Sequence, residues 1–149
     1  MSDGVINPIF IMGVCGVGKT TIAQDLAAAL PAQYLEADDF HPDANVNAMR
    51  QGTPLTDEMR WPWLEGICKE INARRLRGAE GQTVVACSAL KRSYRDLIRS
   101  HLPSAVFIFL TGPKDLIQQR MLQRKDHFMP LSLLESQLAD LEPPSKEEA

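Results

Sequence analysis

The sequence predicts an α/β fold in which helices cover a parallel β-sheet, and two features of the chain support this. Four short apolar runs alternate with polar or helix-like segments, the pattern of repeated strand-helix-strand units. The first run also leads into a glycine loop and then into a segment rich in Ala and Leu. With 149 residues, 44% of them hydrophobic, the chain can bury a sizeable core, and we expect one domain over residues 1–149.

The four apolar runs are the predicted strands. Ile9-Phe10-Ile11-Met12 suits a strand buried on both faces, as strands of parallel sheets are. Tyr34-Leu35 leads into the second strand, which ends in the acidic residues 36–39. The third and fourth strands are expected at residues 83–87 and 105–110.

Helices are predicted after these strands. The first runs from about Lys19 to Leu30, where Pro31 stops it, and the last spans about residues 131–141. Residues 142–149 are polar and interrupted by prolines, so we expect no packed element there.

The longest connection, about residues 42–81, lies between the second and third strands. It has helical spacing at Leu64, Ile67 and Ile71, and breaks are predicted at Gly52, Pro54 and Pro62. An insert of this kind in an α/β enzyme is expected to form a substrate-binding flap.

Charge and composition exclude several classes of protein. The formal net charge of −3 argues against a general nucleic-acid binder, which would carry a basic face. No apolar run is long enough to cross a bilayer and the first residues lack a positive leader, so we expect a cytoplasmic protein without a membrane partner. Cys15, Cys68 and Cys87 are widely spaced, which supports neither a disulfide framework nor a zinc site.

Residues 13–20 match the phosphate-binding pattern G-x-x-x-x-G-K-[ST], the P-loop. Its glycines let backbone N–H groups turn inward as an anion nest, Lys19 reaches the β- and γ-phosphates, and the Thr20 hydroxyl can hold Mg²⁺. The position between a strand and a helix favours this interpretation over a simple glycine turn. The predicted nucleotide-binding residues are Gly13, Val14, Cys15, Gly16, Val17, Gly18, Lys19, Thr20 and Thr21.

Two carboxylates follow the second strand, at the edge where open parallel sheets bind ligands. Asp38 is placed to accept a proton from a substrate hydroxyl, and Glu36 to act on Mg²⁺ through water. The alternatives are a solvated acidic turn or a helix cap by Asp39. His41, just beyond, is a candidate for substrate contact or an ordinary hydrogen-bonding loop histidine.

The third strand ends in Cys87-Ser88 and lacks the Asp that many P-loop proteins place there for the metal. Metal binding must then depend on Thr20, water and the carboxylates of the second strand. Lys91 and Arg95 lie just beyond, where cations suit an anionic substrate, although a solvated helix face is the alternative.

A second basic group follows the fourth strand and suggests a lid at about residues 120–130. Arg120 and Arg124 are four residues apart and share a helical face, with Lys125 and His127 close behind. Arginines on a mobile segment can close over a transferring phosphoryl group. An ordinary basic helix end is the alternative.

Taken together, these segments resemble the gluconokinases, small P-loop kinases with a nucleoside-monophosphate-kinase-like fold. The resemblance spans nearly the whole chain, and its later blocks are far more specific than the P-loop. The matching residues are 12–20, 37–42, Asn45, Met49, Gly52, Pro54-Leu55, Asp57, Arg60, Pro62-Trp63-Leu64, 87–91, 94–96, 127–130 and 141–144.

The resemblance implies a three-layer α/β P-loop fold with strand order 2-3-1-4. It also implies transfer of the ATP γ-phosphate to the 6-hydroxyl of D-gluconate, with ATP and Mg²⁺ as cofactors and a homodimer as the common assembly. Asp38 would be the base, and Lys19, Arg124 and Arg120 would face phosphoryl charge. The implied substrate-binding residues are Asp38, His41, Arg60, Lys91, Arg95 and His127, the carboxylate of the sugar acid falling to Lys91 with Arg95.

The sequence departs from the family pattern in four places. Cys15, Glu36 and Asp126 stand where relatives usually have Ser, Asp and often Gly. The family also continues into a fifth strand and a final helix, so we expect an open edge at residues 106–110, weak ATP binding and impaired catalysis. Two other functions stay open: a kinase for another small anion, such as shikimate or a nucleotide, and a nucleotide-binding module without turnover.

Overall fold

The structure, a computed structural model, describes residues 8–76, 82–123 and 131–148. Four parallel strands form one sheet in the order β2-β3-β1-β4, which confirms the predicted order. Ile9 pairs with Val84 on one side and with Val106 on the other, so β1 is central. The strands are β1 (Ile9–Met12), β2 (Ala32–Glu36), β3 (Gln82–Ala86) and β4 (Val106–Phe109).

Helices connect the strands, as the alternating pattern predicts. Two short 3-10 helices accompany them, one at Ala37–Phe40 directly after β2 and one at Lys146–Glu148. The α-helices are α1 (Lys19–Ala29), α2 (Asp43–Arg50), α3 (Asp57–Leu76), α4 (Arg92–His101), α5 (Lys114–Gln123) and α6 (Leu131–Asp140). Among the helices of the described ranges, none is long and apolar enough to cross a membrane.

Alternating side chains of the central strands build the core on both faces of the sheet. Phe10 and Met12 point to the larger cluster, which also holds the buried residues of α3 and α4. Ile11 points to the opposite face, where it meets Ala23 and Ala27 of α1. The sheet is thus the middle of three layers, and its carboxyl edge lies between them.

The predicted helix break at Pro62 is wrong, because α3 runs through this residue. Thr56 begins the helix: its hydroxyl accepts a hydrogen bond from the Met59 N–H at 3.2 Å. Pro62 therefore falls near the start of the helix, where its missing N–H costs only the bond to the carbonyl of Glu58. Glu58 is exposed, so water can take that bond.

The prediction that residues 142–149 do not pack is also wrong for the described part, which ends at residue 148. The Glu142 N–H donates to the Leu90 carbonyl at 2.8 Å, and the Glu142 carboxylate accepts from the Arg92 N–H at the start of α4. The Glu148 side chain is only 3% exposed and binds Arg95. This segment supports the loop between β3 and α4.

β4 forms one edge of the sheet within the described residues. Val106 and Ile108 are 43% and 39% exposed, in contrast to the fully buried side chains of β1. The expected apolar edge at residues 106–110 is therefore present.

Candidate active site

The P-loop follows β1 and has the backbone geometry of an anion nest. Gly13 and Gly16 have φ angles of +151° and +82°, which side-chain-bearing residues rarely adopt. A Cβ on Gly13 would also lie 2.7 Å from the carbonyl oxygen of Leu110. Lys19 Nζ folds back to the Val14 carbonyl at 2.9 Å, and Arg120 Nη1 reaches the Val17 carbonyl at 3.3 Å. The loop thus has two cations beside it.

The Lys19 ammonium is held in a partly buried place. Burial lowers the pKa of Lys19 below its ordinary value, and the negative charge of Asp38 opposes this shift. A phosphate group brought to the loop would favour the charged form further. The interaction also shows that Lys19 and Asp38, from the ends of two different strands, face the same space.

A second group of oxygens lies beside the P-loop, at the end of β2. The Thr20 and Tyr34 hydroxyls both donate to Glu36 Oε1, at 2.7 and 2.8 Å. This predicted pair, Thr20 and Glu36, is therefore brought together. Within the described ranges no three His, Cys, Asp or Glu side chains cluster as metal ligands. The two oxygens fit Mg²⁺, which takes few protein ligands and completes its shell with phosphate and water.

A pocket, here called the P-loop pocket, opens next to this loop. Its polar lining comes from five segments of the chain, and Met49, Leu55 and Trp63 add apolar walls. The polar side chains that line it are Lys19, Asp38, His41, Arg60, Ser88, Ser136 and Gln137. Cations, a carboxylate and neutral hydrogen-bonding groups thus meet at the carboxyl ends of β1, β2 and β3, as expected for an open parallel sheet.

His41 is fixed in this pocket as a neutral ring. It stacks on Trp63 with ring centroids 4.2 Å apart, and burial together with the charge of Arg60 lowers the pKa of His41 to about 4. Asn45 Nδ2 donates to the Met59 carbonyl and lies 3.1 Å from His41 Nδ1, so Nδ1 accepts and the ring proton is on Nε2. Nε2 lies 3.7 Å from Asp38 Oδ1.

Arg60 is the buried cation of the pocket, 6% exposed. Its Nη1 donates to the Tyr94 hydroxyl and, at 3.0 Å, to Asp140 Oδ2 of α6. Tyr94 in turn donates to Asp57, which also binds Lys91 Nζ at 3.1 Å. The network joins α3, α4 and α6 around one wall of the pocket.

Comparisons with known proteins agree with this geometry. The family described as an AAA domain matches residues 9–144. A probable gluconokinase of Schizosaccharomyces pombe is 42% identical over 93% of this chain and 74% of that protein. The crystal structure of a gluconokinase from Sinorhizobium meliloti superposes with a TM-score of 0.82, at 43% identity over 95% of this chain and 78% of that one.

This chain belongs to the gluconokinase family. A sugar kinase structure from Janibacter sp. agrees, with a TM-score of 0.89 and 46% identity over 97% of this chain and 82% of that one. The resemblance found in the sequence and the P-loop kinase fold are both confirmed.

Placement of the remaining predicted residues differs from one to the next. Thr21 lies exposed in the first turn of α1. Arg124 and His127, with most of the predicted lid, lie outside the described residues. Lys91 and Arg95 do not line the P-loop pocket of this gluconokinase-family chain.

Arg95 requires a correction. Its side chain is fully buried and points away from the pocket into the segment before α4. The guanidinium binds both carboxylate oxygens of Glu148, at 2.7 and 2.9 Å, and donates to the carbonyls of Ala89, Leu90 and Glu142. Arg95 thus has a structural role and is not placed to bind a sugar acid.

Gln137 is a pocket residue that the sequence reasoning missed. It lies on α6 three residues after the buried Leu134, and Leu138 and Leu141 pack on the same core. A signal was present, because a glutamine at the helical spacing of core leucines is a polar group on an apolar face. Nothing in the sequence, however, shows that this face meets the P-loop.

Proposed function

We propose that this chain is an ATP-dependent gluconokinase that transfers the γ-phosphate to the 6-hydroxyl of D-gluconate, giving 6-phosphogluconate and ADP. The observation that carries this is the convergence of Lys19, Asp38 and Arg60 on one pocket beside the P-loop. A phosphate-binding cation, a proton acceptor and a buried carboxylate-binding cation are what phosphorylation of a sugar acid needs. Gluconokinases at 40–43% identity support the same reaction.

On the donor side, the P-loop amides and Lys19 would bind the nucleotide phosphates. Arg120, against the Val17 carbonyl, adds positive charge at the outer side of the loop. Thr20 and Glu36 would hold Mg²⁺, Glu36 through water, and the ion neutralises charge on the phosphates when it is bound. Arg124 and His127 stay in this proposal as lid residues that close on the phosphoryl group and the substrate.

On the acceptor side, Asp38 would orient the 6-hydroxyl and accept its proton as the oxygen attacks phosphorus. Arg60 replaces Lys91 and Arg95 as the cation for the gluconate carboxylate. Its contacts with Tyr94 and Asp140 both use Nη1, and a guanidinium has three further N–H donors on Nε and Nη2. Neutral His41, with its Nε2–H toward the pocket, suits a hydroxyl of the polyol.

A coupled ADP-release assay with ATP and Mg²⁺ tests the substrate. D-gluconate is compared with other sugar acids, shikimate and nucleoside monophosphates. We expect turnover confined to gluconate. Turnover on shikimate or a nucleotide without turnover on gluconate would refute the proposal, as would nucleotide-induced stabilisation without any product.

Asp38→Asn tests the proposed base. The amide keeps the size of the side chain but cannot accept the proton, so kcat should fall about 10²- to 10⁴-fold while ADP binding is retained. Asp39→Asn, the exposed neighbour, is the matched control and should stay active. Equal kcat values for Asp38→Asn and wild type would remove Asp38 from the proton-transfer step.

A further inference from the structure

A side chain of α6 occupies part of the P-loop. Gln137 Oε1 accepts a hydrogen bond from the Cys15 N–H at 2.7 Å, a contact between residues 122 positions apart. Amides of this loop are the groups that a phosphate uses. A neutral amide oxygen therefore stands where an anionic oxygen is expected when nucleotide binds.

The same side chain helps to close the P-loop pocket. Gln137 and its neighbour Ser136 form one wall, opposite Asp38 and Lys19. The enclosed cavity is about 40 Å³, which holds only a few water molecules. Ligand pockets typically measure roughly 300–1,000 Å³, so the wall must move before a six-carbon acid enters.

Asp140 makes the second contact of α6 with the site. It is three residues after Gln137, so both lie on one helical face, and its carboxylate binds Arg60 at 3.0 Å. One face of α6 thus supplies an amide oxygen to a phosphate-binding amide and a carboxylate to the pocket guanidinium. Both are groups that the two substrates would provide.

We infer that Gln137 is an acceptor-binding residue that exchanges partners during the reaction cycle. Nucleotide phosphate takes the Cys15 N–H, and the released carboxamide then hydrogen-bonds hydroxyl groups of the sugar acid. A carboxamide offers one acceptor and two N–H donors, which matches hydroxyls that both donate and accept. The inference rests on the proposed function and adds to it a residue that selects a polyol.

The test measures two affinities in Gln137→Ala. Mg·ADP binding without gluconate should tighten about two- to fivefold, because no internal acceptor competes for the Cys15 N–H. The KM for gluconate should rise about three- to tenfold, because the hydroxyl contacts are lost. A merely structural role would lower the melting temperature and weaken both, so shifts of opposite sign identify the exchange.

Two further variants control the result. Gln137→Met keeps the length of the side chain and should reproduce both shifts if the alanine variant folds poorly. Gln119→Ala removes an exposed glutamine of α5 and should change neither affinity. An unchanged gluconate KM in both Gln137 variants, or weaker Mg·ADP binding, would overturn the inference alone. A wild-type chain that binds Mg·ADP but does not phosphorylate gluconate would overturn the proposed function, and the acceptor role with it.

Discussion

Burial and the positive charge of Arg60 lower the pKa of His41 to about 4, which removes its titration from neutral pH. The ring is therefore a neutral donor and acceptor in the pocket, with Asn45 on one nitrogen and the Asp38 side on the other. The sequence alone left two interpretations of this histidine open. Its partners Trp63 and Asn45, which decide between them, come from α3 and α2 and could not be assigned from spacing.

His41→Gln is expected to flatten the pH dependence of stability between pH 6.5 and pH 4. The unfolded chain takes up a proton at this residue below about pH 6.5, whereas the folded protein resists it until about pH 4. The contribution of the neutral ring is thus complete above pH 6.5 and is lost as the pH falls, by up to about 3 kcal/mol.

Urea unfolding across this pH range measures the effect. His101→Gln removes the exposed histidine at the end of α4 and is the control, with a slope like that of the wild type. A wild-type slope in His41→Gln would show that another group titrates there.

Elements follow the sequence best where burial alone decides them. The four strands were predicted to within about two residues at each end, because a strand covered on both faces is a short apolar run. The packed segment after α6 was missed because its stability comes from Arg95 and Glu148, 53 residues apart. Local composition, polar with two prolines, carries no sign of that contact.

A pair of arginine-to-lysine variants separates the element that Arg95 supports from the pocket that Arg60 lines. Lysine cannot reproduce a guanidinium that binds Glu148 with two nitrogens and three carbonyls besides. Arg95→Lys should cost about 2–4 kcal/mol of stability and leave the gluconate KM unchanged. Arg60→Lys should instead raise that KM about tenfold or more, with the ATP KM little affected.

Thermal unfolding and steady-state kinetics on both variants check this division. Kinetics are measured well below the melting temperature of Arg95→Lys, so that both variants are folded. A selective rise of the gluconate KM in Arg95→Lys would restore the original assignment of this residue to the substrate.

The site as a whole follows from the topology of the sheet. β1, β2 and β3 are neighbours, so the P-loop, Asp38 and Ser88 meet at their carboxyl ends, and motif and strand order together predicted that meeting. Arg60, carried on the connection between β2 and β3, was indicated only by the family resemblance. Gln137 was not predicted at all, because α6 reaches the P-loop through packing that no local pattern records.

Stability of the whole molecule in acid should depend on Glu148. Hydrogen bonds from Arg95 and Arg99 and from the Ser145 N–H lower the pKa of this buried carboxyl from 4.5 to about 2. A depressed acid stabilises the fold fully above pH 4.5, and its contribution of about 2–3 kcal/mol is lost as the pH falls toward 2. Glu148→Gln should therefore be less stable than wild type at pH 7, and the difference should shrink steadily below pH 4.5. Denaturant unfolding from pH 7 to pH 3 measures this, with Glu135→Gln on the exposed surface of α6 as the control. A stability difference that stays constant across this range would mean that the carboxyl acts by shape and hydrogen bonding, and that its charge does not hold the segment after α6 against α4.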